Sequence, residues 1–584
     1  MTNQDVVHML REMAALYEME EVPFKPQAYE KAAMTIAALD VPLTALYAQG
    51  GMHALTSIPG VGQGIAKHLR ELLETGHFAA YEQLKHKVPV NIAELTAIKG
   101  VGPKMVKALW EQLRIRTLAD LELAARAGKI RTLPHFGAKS ERNILRRIAL
   151  LQQAQGRRIL GLVLPEIEQL EATIRAFPGV TAAVVAGSVR RRCETIGDLD
   201  LLVVSDEPAA VMERFVHLPM VANVYGKGHT KTNVRLTNGL DADLRVVPAR
   251  SFGAALSYFT GSKAHNIALR ELAIKQGYTL NEYGLFQGQR WVAGRTEEEL
   301  YHALGLCYIA PELREDTGEI AAAQHQALPR LIDYGDLRGD LQVQTDWTDG
   351  QNSLEEMAEA AMAYGLEYIV ITDHTRSLGM THGADEAKLL RQMAAIDALN
   401  RQLRQAGKRF TVLTGAEVNI RQDGTLDIAD AVLARLDVVG AAVHSHFSLP
   451  RVAQTRRLLR AMANPHVDIL FHPTARLLQR RAPIDVDMEA VMAAAQRTGT
   501  ILEIDAAPER LDLRDTYIRQ CVAAGVQMCI DSDAHATVHF RFLDLGIGQA
   551  RRGWAEWRHI VNTRSVTALR ALLKDARASA PPGQ

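Results

Sequence analysis

The chain has 584 residues, of which 47% are hydrophobic and 23% charged, and its 67 Lys plus Arg balance its 67 Asp plus Glu. This length exceeds what one hydrophobic core supports, and the composition excludes a wholly disordered chain, so several globular domains are expected. No apolar run reaches the roughly 18 residues of a membrane span, and the N-terminus lacks a secretory pattern. The four cysteines show no C-x-x-C spacing, which argues against a disulfide framework or zinc knuckle and for a reducing cytoplasm.

Two segments in the first quarter repeat one pattern, an apolar lead-in, then G-V-G, then a basic amphipathic helix. They read "LTSIPGVGQGIAKHLREL" and "LTAIKGVGPKMVKALWEQL", and a looser copy, "RTLPHFGAKSERNILRRI", follows them. Glycine permits a tight turn, and the unpaired N–H groups of the helix behind it can receive a phosphate. Residues 51–150 also carry 16 Lys plus Arg against 8 Asp plus Glu.

The pattern predicts helix-hairpin-helix modules that grip a nucleic-acid backbone without reading its sequence. Three ordinary helix connections are the alternative. The expected DNA-binding residues are Gly60, Gly62, Gly100, Gly102 and Lys104.

A glycine-serine loop precedes an acidic strand in "VVAGSVRRRCETIGDLDLLVVS". The pattern predicts a strand over residues 183–186, a tight loop at Gly187 and Ser188, and a second strand over residues 199–204. Together with Arg191, this loop is a candidate for holding the phosphates of an incoming group.

Three carboxylates are predicted to meet beside this loop. Asp198 and Asp200 lie two residues apart and therefore project from one face of the strand. The segment "TNVRLTNGLDADLRVV" predicts a hairpin that turns at Asn238-Gly239 and presents Asp243 on a neighbouring strand. Carboxylates so placed repel one another unless cations lie between them, and two Mg²⁺ or Mn²⁺ ions would serve a phosphoryl transfer. The alternative is that Asp198 and Asp200 cap a turn.

The string "GSVRRRCETIGDLDLLV" resembles the palm signature of family X DNA polymerases, and "YFTGSKAHNIALR" resembles their thumb motif for the incoming nucleotide. The resemblance runs from the N-terminus to about residue 315. It implies that Asp198 and Asp200 bind both metal ions, and that Asp243 binds the catalytic ion and promotes deprotonation of the primer 3′-hydroxyl. The resemblance also implies nucleotide contacts by Tyr258, Phe259 and Gly261 at the sugar, Asn266 at the base and Arg270 at the nascent pair. The "YFTGS" segment itself predicts a strand-to-helix turn.

One position departs from the family pattern. Several relatives carry a Schiff-base lysine in the N-terminal module, and the matching residue here is His68, with Lys67 one step earlier. Neighbouring helix positions face about 100° apart, so Lys67 does not simply replace that lysine, and we do not expect lyase activity. Tyr29 does match the family pattern and is expected to contact a downstream 5′-phosphate.

From about residue 335, apolar strands alternate with helices. "LEYIVITDHT", "FTVLTGAEVNI", "LDVVGAAVHSHF", "VDILFHPTAR", "TGTILEIDA" and "VQMCIDSDAH" end in polar residues, and "GDLQVQTDWTDG" adds a seventh strand. The pattern predicts a β/α barrel with its active groups at the C-terminal ends of the strands. These groups form a polynuclear metal site or the remains of one. The candidate ligands are Asp349, His374, Glu417, His444, His472, Asp533 and His535.

This half resembles the polymerase and histidinol phosphatase (PHP) domain, which usually binds three metals and hydrolyses phosphodiesters. Its first motif normally reads H-x-H, whereas this chain has Gln342 and Gln344 in a predicted strand over residues 341–345. Glutamine is a neutral, weak ligand, so metal affinity and nuclease activity should fall. The retained groups could hold one or two Zn²⁺ or Mn²⁺ ions, with Asp349 bridging. The alternative is a barrel kept as a scaffold or DNA platform.

The expected fold is therefore multidomain, α+β and α/β. Its predicted parts are a lyase-like helix-hairpin-helix module at 1–87, helix-hairpin-helix fingers at 88–150, a nucleotidyltransferase palm at 151–250, a small thumb at 251–318, a linker at 319–334 and a seven-stranded PHP barrel at 335–577. The expected function is template-directed gap filling in DNA repair. It would use gapped or primed double-stranded DNA and deoxynucleoside triphosphates, in the cytoplasm at the nucleoid and without a membrane. A metallophosphoesterase with an inert palm and a noncatalytic DNA-binding scaffold remain as alternatives.

Overall fold

The computed structural model describes residues 3–37, 43–96, 98, 101–133, 137–138, 140–142, 144–145, 148, 156–377 and 381–574. The chain divides into two compact units, which are Met1–Gln155 with Gln479–Arg481, and Gly156–Leu478 with Ala482–Gln584. Among the helices described, none is both long and apolar enough to cross a membrane.

Helices form the described part of the first unit. They are α1 (Asn3–Met19), α2 (Lys25–Ala37), α3 (Leu43–Thr56), α4 (Gln63–Thr75), α5 (Ala79–Lys87), α6 (Ile92–Thr96), α7 (Pro103–Leu113) and α8 (Leu118–Arg126). The first helix contributes to two hydrophobic clusters, one through Leu10 and the other through Leu16. Two predicted hairpins lead into helices, because α4 and α7 begin directly after Gly62 and Gly102. Part of the looser third copy, residues 131–148, lies outside the described residues.

The second unit begins with a five-stranded palm sheet in the order β2-β4-β7-β6-β5. The strands and helices of this region are β1 (Arg158–Ile159), α9 (Leu160–Arg175), β2 (Val180–Val185), α10 (Gly187–Arg190), β3 (Thr195–Ile196), β4 (Asp198–Ser205), α11 (Pro208–Val216), β5 (Val221–Lys227), β6 (Lys231–Leu236) and β7 (Asp241–Val247). The hairpin that turns at Asn238-Gly239 is confirmed. The predicted loop at Gly187-Ser188 is wrong, because these residues open α10, whose entry is made possible by the positive φ of Gly187.

The thumb follows the palm. It contains α12 (Phe252–Thr260), α13 (Lys263–Lys275), a three-stranded sheet of β8 (Thr279–Asn281), β9 (Gly284–Gln287) and β10 (Arg290–Ala293), and α14 (Glu297–Ala303). The predicted strand-to-helix turn in "YFTGS" is wrong, because the segment joins α12 to α13. The run "FGAALSYFT" is buried on most sides, so its hydrophobic pattern does not distinguish a helix from a strand.

The connector to the barrel contains a helix, α15 (Glu319–Gln324), and it packs on the thumb. Glu319 and His265 are both fully buried, and Glu319 Oε1 lies at hydrogen-bond distance, 2.6 Å, from His265 Nδ1. The second ring nitrogen of His265 lies 3.0 Å from the Tyr301 hydroxyl.

The C-terminal sheet has the seven parallel strands that the sequence predicts. They are β11 (Gly339–Val343), β12 (Tyr368–Ile371), β13 (Thr411–Asn419), β14 (Val438–Ala442), β15 (Ile469–Leu470), β16 (Ile501–Asp505) and β17 (Met528–Asp531). A parallel bridge between Val343 and Ala534 brings the last strand to the first and nearly closes the barrel. The surrounding helices are α16 (Leu354–Tyr364), α17 (Glu386–Gln405), α18 (Asp430–Leu433), α19 (Arg451–Met462), α20 (Met488–Thr498), α21 (Asp515–Ala524), α22 (Leu543–Arg552) and α23 (Val566–Arg570).

Asn562 fastens the seam of the barrel. Its fully buried amide donates to the carbonyls of Gly339 at 2.8 Å and Ile530 at 2.6 Å, and its Oδ1 accepts from the Ile530 N–H at 3.1 Å. One side chain therefore satisfies backbone groups of both β11 and β17.

We expect Asn562→Ala to lower the free energy of unfolding by roughly 2–3 kcal/mol, because it leaves buried backbone groups on two strands without partners. Urea titration of the full chain measures the change. Asn464→Ala is the control, since it removes surface hydrogen bonds to Asp430 and His466 and should cost less than about 1 kcal/mol. Equal effects of the two substitutions would contradict the role of Asn562.

Candidate functional site

The palm carboxylates meet at two parallel strands. Strands β4 and β7 pair in register, so that Asp200 lies beside Asp243 and Asp198 lies beside Asp241. The intervening Leu199 is fully buried, as are its neighbours on β7, and the carboxylates therefore share the opposite face of the sheet. The sequence predicts three acidic groups here, and the structure places a fourth, Asp241, at the edge of the cluster.

The outer carboxylates have polar neighbours of their own. Asp243 accepts a hydrogen bond from the Asn233 amide and lies 3.4 Å from the Lys231 ammonium. Asp241 pairs with the Arg235 guanidinium at 2.8 Å, which neutralises it. A cation near Asp198 and Asp200 would therefore meet the less compensated part of the cluster.

Burial and the neighbouring Asp198 and Asp243 raise the pKa of Asp200 to about 6, against the opposing effect of Arg191 and Arg245. Gly187 lies against this carboxylate so closely that a Cβ at that position would overlap Asp200 Oδ2. A glycine is thus required at position 187, at the start of α10, both by its positive φ and by its close contact with Asp200.

The predicted nucleotide-binding residues gather at the junction of palm and thumb. The Tyr258 and Phe259 rings meet edge to face with centroids 5.0 Å apart, and the Arg270 guanidinium lies 5.4 Å from the Tyr258 ring centroid. The Asn266 amide donates to the Tyr258 carbonyl at 2.7 Å. Gly261 ends α12 with a positive φ of 66°.

The arginines of "GSVRRR" reach into the thumb. Arg190 forms a bidentate pair with Glu297, with bonds of 2.9 and 2.7 Å. Arg191 donates to the Thr260 carbonyl, and its Nε donates to Glu315 Oε1 at 3.0 Å. Arg191 is therefore held at the base of the thumb, and Ser188 lies three residues before it in α10.

In the first unit, both described hairpins open a helix toward solvent. Gly62 and Gly102 are extended N-cap residues without a side-chain cap, and Gly60 has a φ of +85°. Lys104 is exposed in the first turn of α7. This geometry suits contact with phosphates. Gly100 lies outside the described residues.

The departure at His68 has a structural counterpart. Its Nδ1 lies 2.7 Å from the Tyr29 hydroxyl, and its ring stacks on Phe78 at 5.4 Å, so it points inward. Lys67 is exposed, as expected from the turn of the helix. The lysine therefore does not occupy the place of the histidine.

The barrel brings its predicted ligands together around Glu417, which is fully buried in β13. His444 Nε2 and His472 Nε2 each lie 2.9 Å from Glu417 Oε1, and His374 Nδ1 lies 3.2 Å from Oε2. Burial would raise the pKa of Glu417, but His374 and His444 hold it well below its usual range.

Asp349 lies at the rim of the same cluster. Its Oδ2 is 3.6 Å from His374 Nε2 and 3.7 Å from His535 Nε2. Asp349 sits in a turn beyond β11 and faces these two imidazoles, so that its role as a bridging ligand stays a prediction. Glu417, near the C-terminal end of β13, is the more central group.

The two glutamines occupy the floor of the cluster. The amides of Gln342 and Gln344 donate to Glu417 Oε2 at 3.2 and 3.0 Å, which confirms that both point to the same side. Strand β11 starts and ends two residues earlier than predicted, and Gln344 follows its last residue. Where the family pattern has two ligands, this chain therefore aims two hydrogen-bond donors at the carboxylate.

Comparison with known proteins assigns the chain. It matches the helix-hairpin-helix domain over 1–78, the SAM-like helix-hairpin-helix tandem over 92–149, the DNA polymerase beta thumb over 255–315 and the PHP domain over 340–497. It is 34% identical over 579 residues to the DNA polymerase/3′-5′ exonuclease PolX of Bacillus subtilis (strain 168), a match that covers 98% of this chain and 100% of the relative. The chain belongs to the bacterial family X DNA polymerases.

More distant relatives match parts of this polymerase. DNA polymerase lambda of Rattus norvegicus is 26% identical over 346 residues, covering 54% of this chain and 56% of the relative. A probable phosphatase of Thermoanaerobacter sp. (strain X514) is 27% identical over 197 residues, covering 32% and 74%.

Sequence reasoning missed a charged layer beneath the barrel site of the polymerase. The Arg510 guanidinium lies 3.2 Å from buried Asp505 and 3.4 Å from Asp533, a predicted ligand. Asp505 ends β16 in "LEIDA", so the position of an acid at a strand end was visible. Its pairing with an arginine from the following loop was not.

The donor sets decide where a divalent ion fits in the barrel. Two groups of three offer atoms within 4.8 Å of one another, namely Asp349, His374 and His535, and His374, Glu417 and His444. His444 Nδ1 lies 2.7 Å from Asn419 Oδ1, which leaves its Nε2, facing Glu417, as the nitrogen that could ligate an ion. At Gln342 and Gln344 the N–H groups face Glu417, and an ion there would meet only neutral carbonyl oxygens, which are buried without a hydrogen bond.

We expect Asp200→Asn to stabilise the metal-free polymerase by about 1 kcal/mol at pH 7.5, a value discounted for partial exposure. Folding raises the pKa of Asp200 from an ordinary 3.8 to about 6, so the folded state binds a proton more readily than the unfolded state. The cost of its charge is therefore present above pH 6 and is relieved as pH falls toward 4.

Urea titrations in EDTA at pH 7.5 and pH 4.5 measure this difference, which should shrink at the lower pH. Asp206→Asn, at an exposed carboxylate just beyond β4, is the control and should change stability by less than about 0.5 kcal/mol. A destabilising effect of Asp200→Asn at pH 7.5 would show that the carboxylates are not in conflict.

Proposed function

We propose that this family X polymerase fills short gaps during DNA repair by adding nucleotides at Asp198, Asp200 and Asp243. The observation that carries the proposal is the register of β4 and β7, which sets Asp200 beside Asp243 and against Gly187. We propose gapped or primed double-stranded DNA and deoxynucleoside triphosphates as substrates, which would place the enzyme at the nucleoid in the cytoplasm.

The carboxylates are suited to hold two divalent ions, Mg²⁺ or Mn²⁺. When bound, such ions supply positive charge to the attacking and leaving oxygens of a phosphoryl transfer. The Asn233 amide donates to one oxygen of Asp243 and the Lys231 ammonium lies 3.4 Å from the other, so both partners orient the carboxylate beside Asp200. We assign Asp243 to the primer side and the promotion of 3′-hydroxyl deprotonation.

The nucleotide would lie between palm and thumb. Gly187 and Ser188 offer backbone and hydroxyl groups to the phosphates, and Arg191 offers a guanidinium. Tyr258, Phe259 and Gly261 would form the floor under the sugar. Asn266 and Arg270, on the exposed side of α13, would meet the base and the nascent pair.

DNA would be gripped by the first unit through Gly60, Gly62, Gly100, Gly102 and Lys104. We propose that the functional domains are the lyase-like module at 1–87, the fingers at 88–150, the palm at 151–250, the thumb at 251–318, the linker at 319–334 and the barrel at 335–577. The inward position of His68 supports a polymerase that lacks the lysine-dependent lyase step, with Tyr29 near the 5′-phosphate.

Asp200→Ala should abolish nucleotide addition, by at least about 10³-fold, because it removes charge that stabilises the transition state. DNA affinity should stay within about twofold, since the helical hairpins are untouched. Primer extension on gapped DNA and a binding titration on the same preparation measure both.

Asp206→Ala is the control for this measurement and should extend primers normally. Extension that survives Asp200→Ala but disappears with His374→Ala would instead support a phosphoesterase with an inert palm. Binding without turnover in any divalent metal would support a scaffold.

For the barrel we propose a metal site reduced from the family pattern, with weakened or altered 3′-5′ exonuclease activity. The relative from Bacillus subtilis carries that activity in its name. Zn²⁺ or Mn²⁺ would be held by Asp349, His374 and His535, and by Glu417, His444 and His472. Asp533 contributes less, because Arg510 already neutralises it.

Metal content tests this reduced site in the full chain carrying Asp198→Asn and Asp200→Asn, so that palm ions do not contribute. The barrel should retain at most two ions after dialysis. Adding Gln342→His and Gln344→His should raise retention or affinity roughly 10- to 100-fold.

Gln496→His, an exposed glutamine on α20, is the control for an added imidazole and should change nothing. Mass-spectrometric metal counting is the measurement, and an exonuclease assay follows on each sample. Three tightly held ions without the added histidines would contradict the reduced site.

A further inference from the structure

The barrel contacts the palm loop that follows the proposed phosphate-binding helix and leads, through the short strand β3, toward the catalytic strand β4. This loop, residues 191–194, lies between α10 and β3, and each of its four residues contacts the barrel. The barrel contributes one helix, α22, and one arginine that follows the ligand His472 by four positions.

Arg552, the last residue of α22, makes the central contacts. Its NH1 donates to the Arg191 carbonyl at 2.9 Å and to Glu315 Oε1 at 2.8 Å, and it lies 3.6 Å from Cys193 Sγ. Its Nε and NH2 both bond Asp515 Oδ2, at 3.1 and 2.7 Å. The side chain is only 10% exposed, so these bonds are shielded from solvent.

The same Glu315 oxygen receives Arg191 Nε. Arg552 thus fixes Arg191 at two points, directly at its backbone carbonyl and through Glu315 at its guanidinium. The Arg191 carbonyl lies at the end of α10, where carbonyls have no partner within a helix.

The rest of the loop is held by two further contacts. Arg476 makes a bidentate pair with Glu194, at 2.6 and 3.3 Å, and the Gln549 amide adds a bond of 2.6 Å to the same carboxylate. A Cβ at Gly548 would lie 3.0 Å from Arg192 Cβ, so α22 packs closely against the loop. Glu194 precedes Asp198 by four residues.

We propose that Arg552 is a positioning residue for nucleotide addition, and that the barrel is a working part of the polymerase site. Without Arg552, Glu315 would keep one arginine instead of two, and the end of α10 would lose its carbonyl partner. The Arg191 guanidinium would then be less firmly held and could move away from the position that faces the incoming phosphates. The inference rests on the proposed role of Arg191 in binding those phosphates, and not on any metal in the barrel.

Arg551 offers a matched control on the same helix. It is 16% exposed and bonds Glu312 and the Ile332 carbonyl, both at 2.7 Å, so it also ties the barrel to neighbouring segments. It does not reach residues 191–194. Arg551→Gln and Arg552→Gln remove the same charge from adjacent positions.

Steady-state gap filling by the full chain tests the proposal, with KM for the deoxynucleoside triphosphate and kcat measured separately. Arg552→Gln should raise KM roughly tenfold, because one hydrogen bond that involves a charged group typically contributes about that factor. Glu315→Gln should raise it in the same direction. Arg552→Lys should restore part of the loss, because an ammonium can bond Glu315 but cannot make all the contacts of a guanidinium.

Arg551→Gln should leave KM within about twofold while shifting the thermal midpoint as much as Arg552→Gln does. Equal changes of KM in the two variants, or an unchanged KM in Arg552→Gln, would overturn the positioning role. Arg191→Gln tests the phosphate-binding role of Arg191 separately from the role of Arg552. If it leaves KM unchanged, the phosphate-binding role of Arg191 fails and this inference with it; if it raises KM while Arg552→Gln does not, only the inference fails.

Discussion

Negative charge concentrated at strand ends is the constraint on which both sites depend. In the palm, in-register parallel pairing forces Asp200 and Asp243 together, and burial adds to the repulsion. In the barrel, Glu417 is fully buried and stays ionised because imidazoles surround it. Each arrangement is stable only where cationic or hydrogen-bonding partners offset the charge, and the partner chosen differs between the two sites.

The partners distinguish a site open to exchangeable ions from one that is partly closed. Arg191 and Arg245 compensate the charge of Asp200 only in part, since its pKa stays raised, so a divalent ion would be the natural further counterion. At the barrel floor the compensation is built in. Two amides bond Glu417, and Arg510 pairs with Asp533. A carboxylate that already accepts hydrogen bonds from protein donors gains less free energy from binding a metal ion. In this way the two glutamines would lower the metal affinity of the barrel site.

Much of this arrangement was predictable, because it follows from short-range periodicity. The two-residue period of the strand in "GDLDLL" puts Asp198 and Asp200 on one face. The turn at Asn238-Gly239 brings β7, which carries Asp243, back antiparallel to β6. Seven apolar runs with polar ends predicted the barrel and the His, Asp and Glu side chains that cluster at its strand ends. The prediction failed where periodicity is uninformative, as at α12, whose residues are buried on most sides, and at α10, where one glycine with positive φ turns a loop into a helix.

Contacts between distant segments could not be read from the sequence. Arg510, Arg476 and Arg552 are ordinary arginines in their local context, and only the fold sets them against Asp533, Glu194 and Glu315. The sequence also predicts that Asp349 bridges the metal ions. The structure places Asp349 at the rim of the cluster, in a turn beyond β11, and Glu417 at its centre, near the C-terminal end of β13.

The proposed metal site of the barrel and the contacts of the barrel with the palm involve different residues. Gln342 and Gln344 are buried and their amides bond Glu417, so glutamines in place of the two imidazoles leave no hole in the barrel. The arginines that bond the palm loop contact carboxylates and carbonyls, and none of these bonds involves a proposed metal ligand. The contacts between barrel and palm therefore do not depend on the metal affinity of the barrel site.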